Sequence, residues 1–133
     1  MERRKFLQDS SMAAAAGMFT FSADNNTEKS AKNMFVHHVY FWLKNPGSKE
    51  DLKALIKGLE DLSKIDYIQM FHIGVPADTN RDVIERTYAV SWLNVFKNKE
   101  DEERYQSDPV HLHFIDTCKH LWEKVVVYDS VDA

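Results

Sequence analysis

The run Met34-Phe-Val-His-His-Val-Tyr-Phe-Trp-Leu43 constrains the fold more than any other stretch of the chain. It is rich in β-branched and aromatic residues and reads as a strand. Successive strand side chains point to opposite faces. Val36, His38, Tyr40 and Trp42 therefore form one row, and Phe35, His37, Val39, Phe41 and Leu43 the other. A sheet covered on one side alternates apolar with polar residues, and this strand does not. The last strand, with Val125-Val126-Val127-Tyr128, is also apolar on both sides. Helices of the chain itself can cover one face. Leaving the other bare would expose more than the few hundred Å² usual on a monomer. A second copy of the sheet is the simplest cover, since most soluble oligomers are symmetric. The expected partner is the chain itself, in a homodimer through sheet faces.

Around that strand the remaining elements fall into a familiar order. Asn45-Pro46-Gly47 stops the strand, and Ser48 caps a helix with Glu50 and Asp51 in its first turn. Leu52, Leu55, Ile56, Leu59 and Leu62 recur at helical spacing and make one apolar stripe. Residues 67–75 read as a second strand and 85–95 as a third, with Tyr88, Val90 and Trp92 on one face. Residues 98–105 form a short charged helix, in which Glu100-Asp-Glu-Glu103 is expected to be a solvated face. Asp108 caps a further helix to residue 121, with Pro109 at the first helical position, where its missing N–H costs nothing. Residues 123–131 are the last strand. The order β-α-β-β-α-β, with its second helical part broken in two, is the ferredoxin-like α+β arrangement, a four-stranded antiparallel sheet with helices on one face.

With 133 residues the chain allows one folded domain, placed at 34–133. A net charge of −4 provides no basic footprint, so nucleic acid is not an expected partner. No apolar run approaches the roughly 20 residues that span a bilayer, so stable membrane insertion is not expected. The single cysteine, Cys118, falls in a helical pattern and reads as a small packing residue. Residues 1–23 differ from the rest. Arg3-Arg4-Lys5-Phe6-Leu7 precedes a weakly apolar Met-Ala-Ala-Ala-Ala-Gly-Met-Phe stretch, which resembles a twin-arginine export signal and implies a periplasmic destination; the alternative is a cytoplasmic protein with a basic tail. Residues 24–33 are polar and read as a linker.

The residues with chemistry to offer cluster in Tyr105-Gln-Ser-Asp-Pro-Val-His111-Leu-His113-Phe114. An imidazole titrates near neutrality and can act as acid or base. A phenol can hydrogen-bond a developing enolate or alkoxide. His111 and Tyr105 are thus candidate catalytic residues, and they can equally be core residues that lock the broken helix to the sheet. If the row of His38, Tyr40 and Trp42 meets the helices, those three and Phe114 become candidate ligand contacts, in a cavity shared with Tyr88, Trp92 and Trp122; the alternative is plain core packing. Neither a Cys/His spacing nor a pair of histidines on one face suggests a metal site. His37 and His38 face opposite sides, and His111 and His113 do not share a helix face. No cofactor is indicated.

Several of these features together resemble the stress-responsive dimeric α/β-barrel (Dabb) family. The likeness rests on His38-Val39-Tyr40-Phe41-Trp42-Leu43-Lys44, the helix after Pro46-Gly47, the pattern Tyr105-x-x-x-Pro109-x-His111-x-x-Phe114, and Val125-Val126-Val127-Tyr128-Asp129. It implies a ferredoxin-like unit whose sheets pair into a dimeric barrel. It also implies a range of functions, from members without assigned activity to polyketide-cyclase-like enzymes, in which the counterparts of Tyr105 and His111 form an acid/base pair. A non-catalytic stress-response homodimer is the other expectation, and monooxygenase-like chemistry a third. The family often carries His before the motif proline, where this chain has Asp108.

Overall fold

The computed structural model describes residues 29–133. The twin-arginine-like segment and the first half of the polar linker lie outside the described residues. The strand expected first, β1 (Phe35–Leu43), has a strictly alternating burial pattern. Phe35, His37, Val39, Phe41 and Leu43 are buried, and Val36, His38, Tyr40 and Trp42 half-buried. The order continues with α1 (Lys49–Leu62), β2 (Met70–Gly74), β3 (Val90–Phe96), α2 (Lys99–Gln106), α3 (Pro109–Cys118), a 3-10 turn (Lys119–Leu121) and β4 (Trp122–Val131). The sheet has four strands in the order β2-β3-β1-β4, each pair antiparallel. This is the expected ferredoxin-like topology.

The local signals act as read. Ser48 Oγ accepts the Asp51 N–H at 3.1 Å and starts α1. Leu55, Leu59 and Leu62 of its stripe are buried, with Leu52 and Ile56 packed at the margin. Gly58 lets α1 approach α3, because a Cβ there would lie 2.6 Å from Cys118 Sγ and 3.2 Å from the Phe114 ring. Asp108 caps α3 through the Val110 N–H at 2.8 Å and also accepts the Tyr67 hydroxyl at 2.8 Å. Asp108 in place of His therefore ties the α2–α3 break to the segment before β2. No helix among the described residues is long and apolar enough to cross a membrane.

Four expectations change. Strand β2 starts at Met70, not at residue 67. Strand β3 starts at Val90, not at residue 85. Ladder pairing with β1 ends near Phe41, whose carbonyl accepts the Ala89 N–H, and Tyr88 turns away to pack edge-on against Tyr40 and Trp42. The last helix is α-helical only to Cys118, and its 3-10 continuation places the Leu121 carbonyl on the Lys44 N–H. Glu102, expected in solvent, is 7% exposed and faces the sheet.

The register settles which face meets the helices. His37 lies between Asn94 on β3 and Asp129 on β4, and Val39 between Trp92 and Val127. The inner face therefore carries Val90, Trp92, Asn94 and Phe96 of β3 and Val125, Val127 and Asp129 of β4. His38, Tyr40 and Trp42 lie on the outer face with Ser91 and Leu93. The helix-facing row is the one made chiefly of plain hydrocarbons, whose burial is the more favourable, by about 25 cal/mol per Å² of apolar surface. The outer row carries polar tips at His38, Tyr40 and Trp42.

Candidate active site

Between the inner face and the helices lies a cavity of about 160 Å³. Its walls include Val39, Phe41, Trp92, Phe114, Ile115 and Trp122, and its polar lining consists of His37, Tyr105, Gln106 and His111. It opens along the edge strand β4, where Val125 and Val127 are 38% and 46% exposed although they belong to the inner face. Of the six aromatics expected around a cavity, Trp92, Phe114 and Trp122 are present. Tyr40, Trp42 and Tyr88 pack together on the other side of the sheet.

Tyr105 sits near the end of α2, with its side chain turned into the core at 1% exposure. Its hydroxyl oxygen accepts the Trp92 indole N–H at 3.1 Å. Among the described residues its own proton has no acceptor. Burial pushes the phenol's pKa well above its usual value, despite the opposing effect of the Trp92 hydrogen bond. It therefore stays protonated at neutral pH and serves as a hydrogen-bond donor, not as a base.

His111, one turn into α3, packs its ring 4.5 Å from that of Tyr105. Its Nδ1 lies 3.2 Å from the Gln106 carbonyl. A carbonyl only accepts, so Nδ1 carries the proton and Nε2 keeps its lone pair. Burial lowers the imidazole's pKa from 6.5, against the carbonyl hydrogen bond, which raises it. His111 is thus neutral and basic at pH 7. Pro109 and the Asp108 cap fix the start of α3 and hence this turn.

His37 is the residue that sequence reasoning missed. It is 5% exposed, edge-on to Tyr105 at 5.8 Å and to Phe96 at 6.4 Å. Its Nδ1 donates to Asp129 Oδ1 at 2.6 Å, which again leaves Nε2 unprotonated in the neutral ring. Glu102 Oε2 lies 3.5 Å from the same Nδ1 and accepts the Gln106 side-chain amide at 2.6 Å. A sequence signal was available. Glu102, Tyr105 and Gln106 follow helical spacing, so an inward Tyr105 brings Glu102 with it.

The outer-face candidates make a separate group. His38 Nε2 lies 2.8 Å from Ser91 Oγ, and its ring stacks on Tyr40 at 4.5 Å. Burial, then the neighbouring His72, lowers its pKa. Trp42 donates to Thr87 at 2.9 Å, and the Lys124 ammonium sits 4.5 Å over its ring. The sheet lies between these residues and the cavity, so His38 does not meet His111. Of the proposed contacts, Tyr105, His111 and Phe114 come together, and His38, Tyr40 and Trp42 do not join them.

Comparison with known proteins agrees with this fold. The model of the stress responsive A/B barrel domain matches residues 35–132. A stress-response A/B barrel domain-containing protein of Arabidopsis thaliana, At5g22580, is 30% identical over 84 residues, covering 61% of this chain and 75% of that protein. Two solved structures share the fold at lower identity. A dimeric protein of ferredoxin-like fold from Bacteroides fragilis is 18% identical, with a TM-score of 0.61, covering 77% of this chain and 100% of that one. A hydroxynitrile lyase from Passiflora edulis is 19% identical, with a TM-score of 0.63, covering 77% and 96%. The ferredoxin-like unit, the Tyr105-to-Phe114 motif and the matched span together make this chain a member of the stress responsive A/B barrel domain family.

Proposed function

We propose that the inner cavity binds a compact carbonyl compound, apolar or aromatic in its body, and performs acid/base chemistry on it. The observation that carries this reading is a convergence of unused hydrogen-bonding capacity on one apolar cavity. The Tyr105 hydroxyl has a proton to give, and His37 and His111 each have Nδ1 occupied and Nε2 free among the described residues. In the mechanism, His111 Nε2 removes a proton from a carbon flanked by carbonyl groups. Tyr105 donates its hydrogen bond to the enolate oxygen, backed by the Trp92 indole, and preorganised donors of this kind act most strongly where water is excluded. His37, held by Asp129, returns or relays the proton. Intramolecular attack by the enolate on a second carbonyl would be ring closure of polyketide-cyclase type. Bases and hydrogen-bond donors of the same kind also serve addition and elimination at a carbonyl, and one neighbour in the fold is a hydroxynitrile lyase.

Size limits the substrate. Drug-sized sites run to about 300 Å³ and above, and this cavity has about 160 Å³. It encloses one ring or a short diketone, and a longer chain must leave past Val125 and Val127. A thermal-shift screen of phenols and 1,3-dicarbonyl compounds tests the reading. Compounds that stabilise the wild type should lose that effect in His111→Ala, and a hit that survives the substitution unchanged removes His111 from the site.

The outer face supports homodimerisation. Tyr128 is 64% exposed there, beside half-buried Tyr40 and Trp42, so the described residues leave an aromatic sheet face without a cover. Sedimentation equilibrium should give twice the chain mass, and a monomer across the concentration range would refute the dimer. The Arg3-Arg4 and Phe6-Leu7 pattern favours export by the twin-arginine route. Replacing both arginines with lysine should retain the protein in the cytoplasm, and unchanged fractionation would refute that route.

A further inference from the structure

We propose that His37, Glu102 and Asp129 form a binding site for a divalent transition-metal cation of the zinc class, at the floor of the cavity. The three ligand atoms all lie within 4.8 Å of one another. A single nitrogen, His37 Nδ1, faces two carboxylates, Asp129 Oδ1 at 2.6 Å and Glu102 Oε2 at 3.5 Å. It carries one proton, which goes to Asp129, and none remains for Glu102. Yet Glu102 is 7% exposed, with only the Gln106 amide as a short partner among the described residues. An under-compensated carboxylate in a low-dielectric interior is costly. A divalent ion compensates both carboxylates at once, where a proton compensates one.

A second observation points to the same place. Asn94 is fully buried, and among the described residues neither its side-chain oxygen nor its nitrogen has a partner. It lies directly across from His37 in the β1–β3 register, on the same inner face. Such orphaned polar groups are uncommon in folded interiors. An amide oxygen beside the cluster is a fitting fourth ligand, or an acceptor for a metal-bound water. One imidazole, two carboxylates and an amide suit zinc and its neighbours in the first transition row. Tetrahedral zinc ligands lie roughly 3.4 Å apart, so the His37–Asp129 pair must open by less than about 1 Å. These residues are far apart in sequence, so no spacing motif announces them.

Occupancy would change what His37 does. With the metal on Nδ1, the one proton of the neutral ring sits on Nε2, which turns from acceptor to donor. The ion would therefore disable the proton-accepting role given to His37 above while leaving Tyr105 and His111 in place. The inference shares His37 with the proposed function but is tested without any organic ligand, so either can fail alone.

The test is equilibrium dialysis of the full chain, stripped with a chelator, against Zn²⁺ with metal analysis, alongside the visible spectrum of the Co²⁺-loaded protein. The expected result is one ion per chain, with Co²⁺ bands of a four- or five-coordinate site. Glu102→Gln and Asp129→Asn should each weaken binding by more than about tenfold, and His120→Ala, an exposed histidine elsewhere, should leave it unchanged. If Glu102→Gln fails to fold, Asp129→Asn on the open edge strand carries the test. Absence of saturable binding, binding equal to wild type in Asp129→Asn, or loss of binding in His120→Ala overturns the proposal.

Discussion

His37 and His38 are neighbours on one strand, yet their surroundings have almost nothing in common. His37 is enclosed between helix and sheet and held by carboxylates. His38 lies among aromatic rings and a serine on a face the described residues leave partly open. The two faces repeat this contrast. The inner face pairs Tyr105 with Trp92, the outer one Tyr40 with Tyr88 and Trp42. On the proposed reading, matched residue types have different work: chemistry and core stability inside, association outside. What separates them is the phase of the strand, because shifting a strand by one residue exchanges its faces.

Matched substitutions can break that contrast. The largest difference is expected between two tyrosines. Tyr105→Phe removes the donor proposed to meet the developing oxyanion and should lower turnover by roughly 10²- to 10³-fold, while Tyr40→Phe should leave it within about threefold. Steady-state rates on a compound found by ligand screening would show this, and equal losses would mean that the cavity is not the reacting site. Next come two tryptophans. Trp92 is 1% exposed, and Trp92→Ala should cost about 3–5 kcal/mol in urea unfolding. Trp42→Ala should cost less than half of that and act mainly on sedimentation. Equal costs would mean that the outer face is a second core and not a contact surface.

The fold was legible because its signals are local and redundant. The alternation in β1, the Ser48 cap, the leucine stripe and the Asp108-Pro109 start each specify an element, and their order leaves one common topology. The candidate site was legible in part. Tyr105, His111 and Phe114 sit in one short motif, where helix geometry ties them together. His37 was not found because a strand apolar on both faces does not say which face the helices choose. Its charge partners, Glu102 and Asp129, approach it only through tertiary packing. Glu102 was hidden further by its place in an acidic run, where composition suggests solvent and the helical phase of Tyr105 decides otherwise.

The remaining predictions sharpen the contrast with smaller effects. Asp108→Ala removes the α3 cap and the Tyr67 partner. It should destabilise by about 1 kcal/mol and lower the tyrosine pKa from about 12, both readable from thermal melts and an ultraviolet titration. The wild-type Asp108 carboxyl is held below its usual range, first by the Val110 N–H and then by the Tyr67 hydroxyl. The pH response is the subtlest. His111 and His38 both have folded pKa values below 6.5, chiefly through burial. The unfolded chain therefore binds protons that the folded one resists. Stability from these groups is fully present above about pH 6.5 and is lost as pH falls through their folded values. His111→Gln should flatten part of that fall and also abolish activity. His38→Gln should flatten stability alone.

Proton abstraction itself gives the most direct measurement. In D₂O, proton NMR follows the exchange of the acidic methylene protons of a small 1,3-diketone that fits a cavity of about 160 Å³. The wild type should accelerate exchange above the buffer rate, His111→Ala and Tyr105→Phe should return it to that rate, and His38→Ala should leave it unchanged. No acceleration by the wild type, or acceleration that persists in both His111→Ala and Tyr105→Phe, would contradict an acid/base site on the inner face.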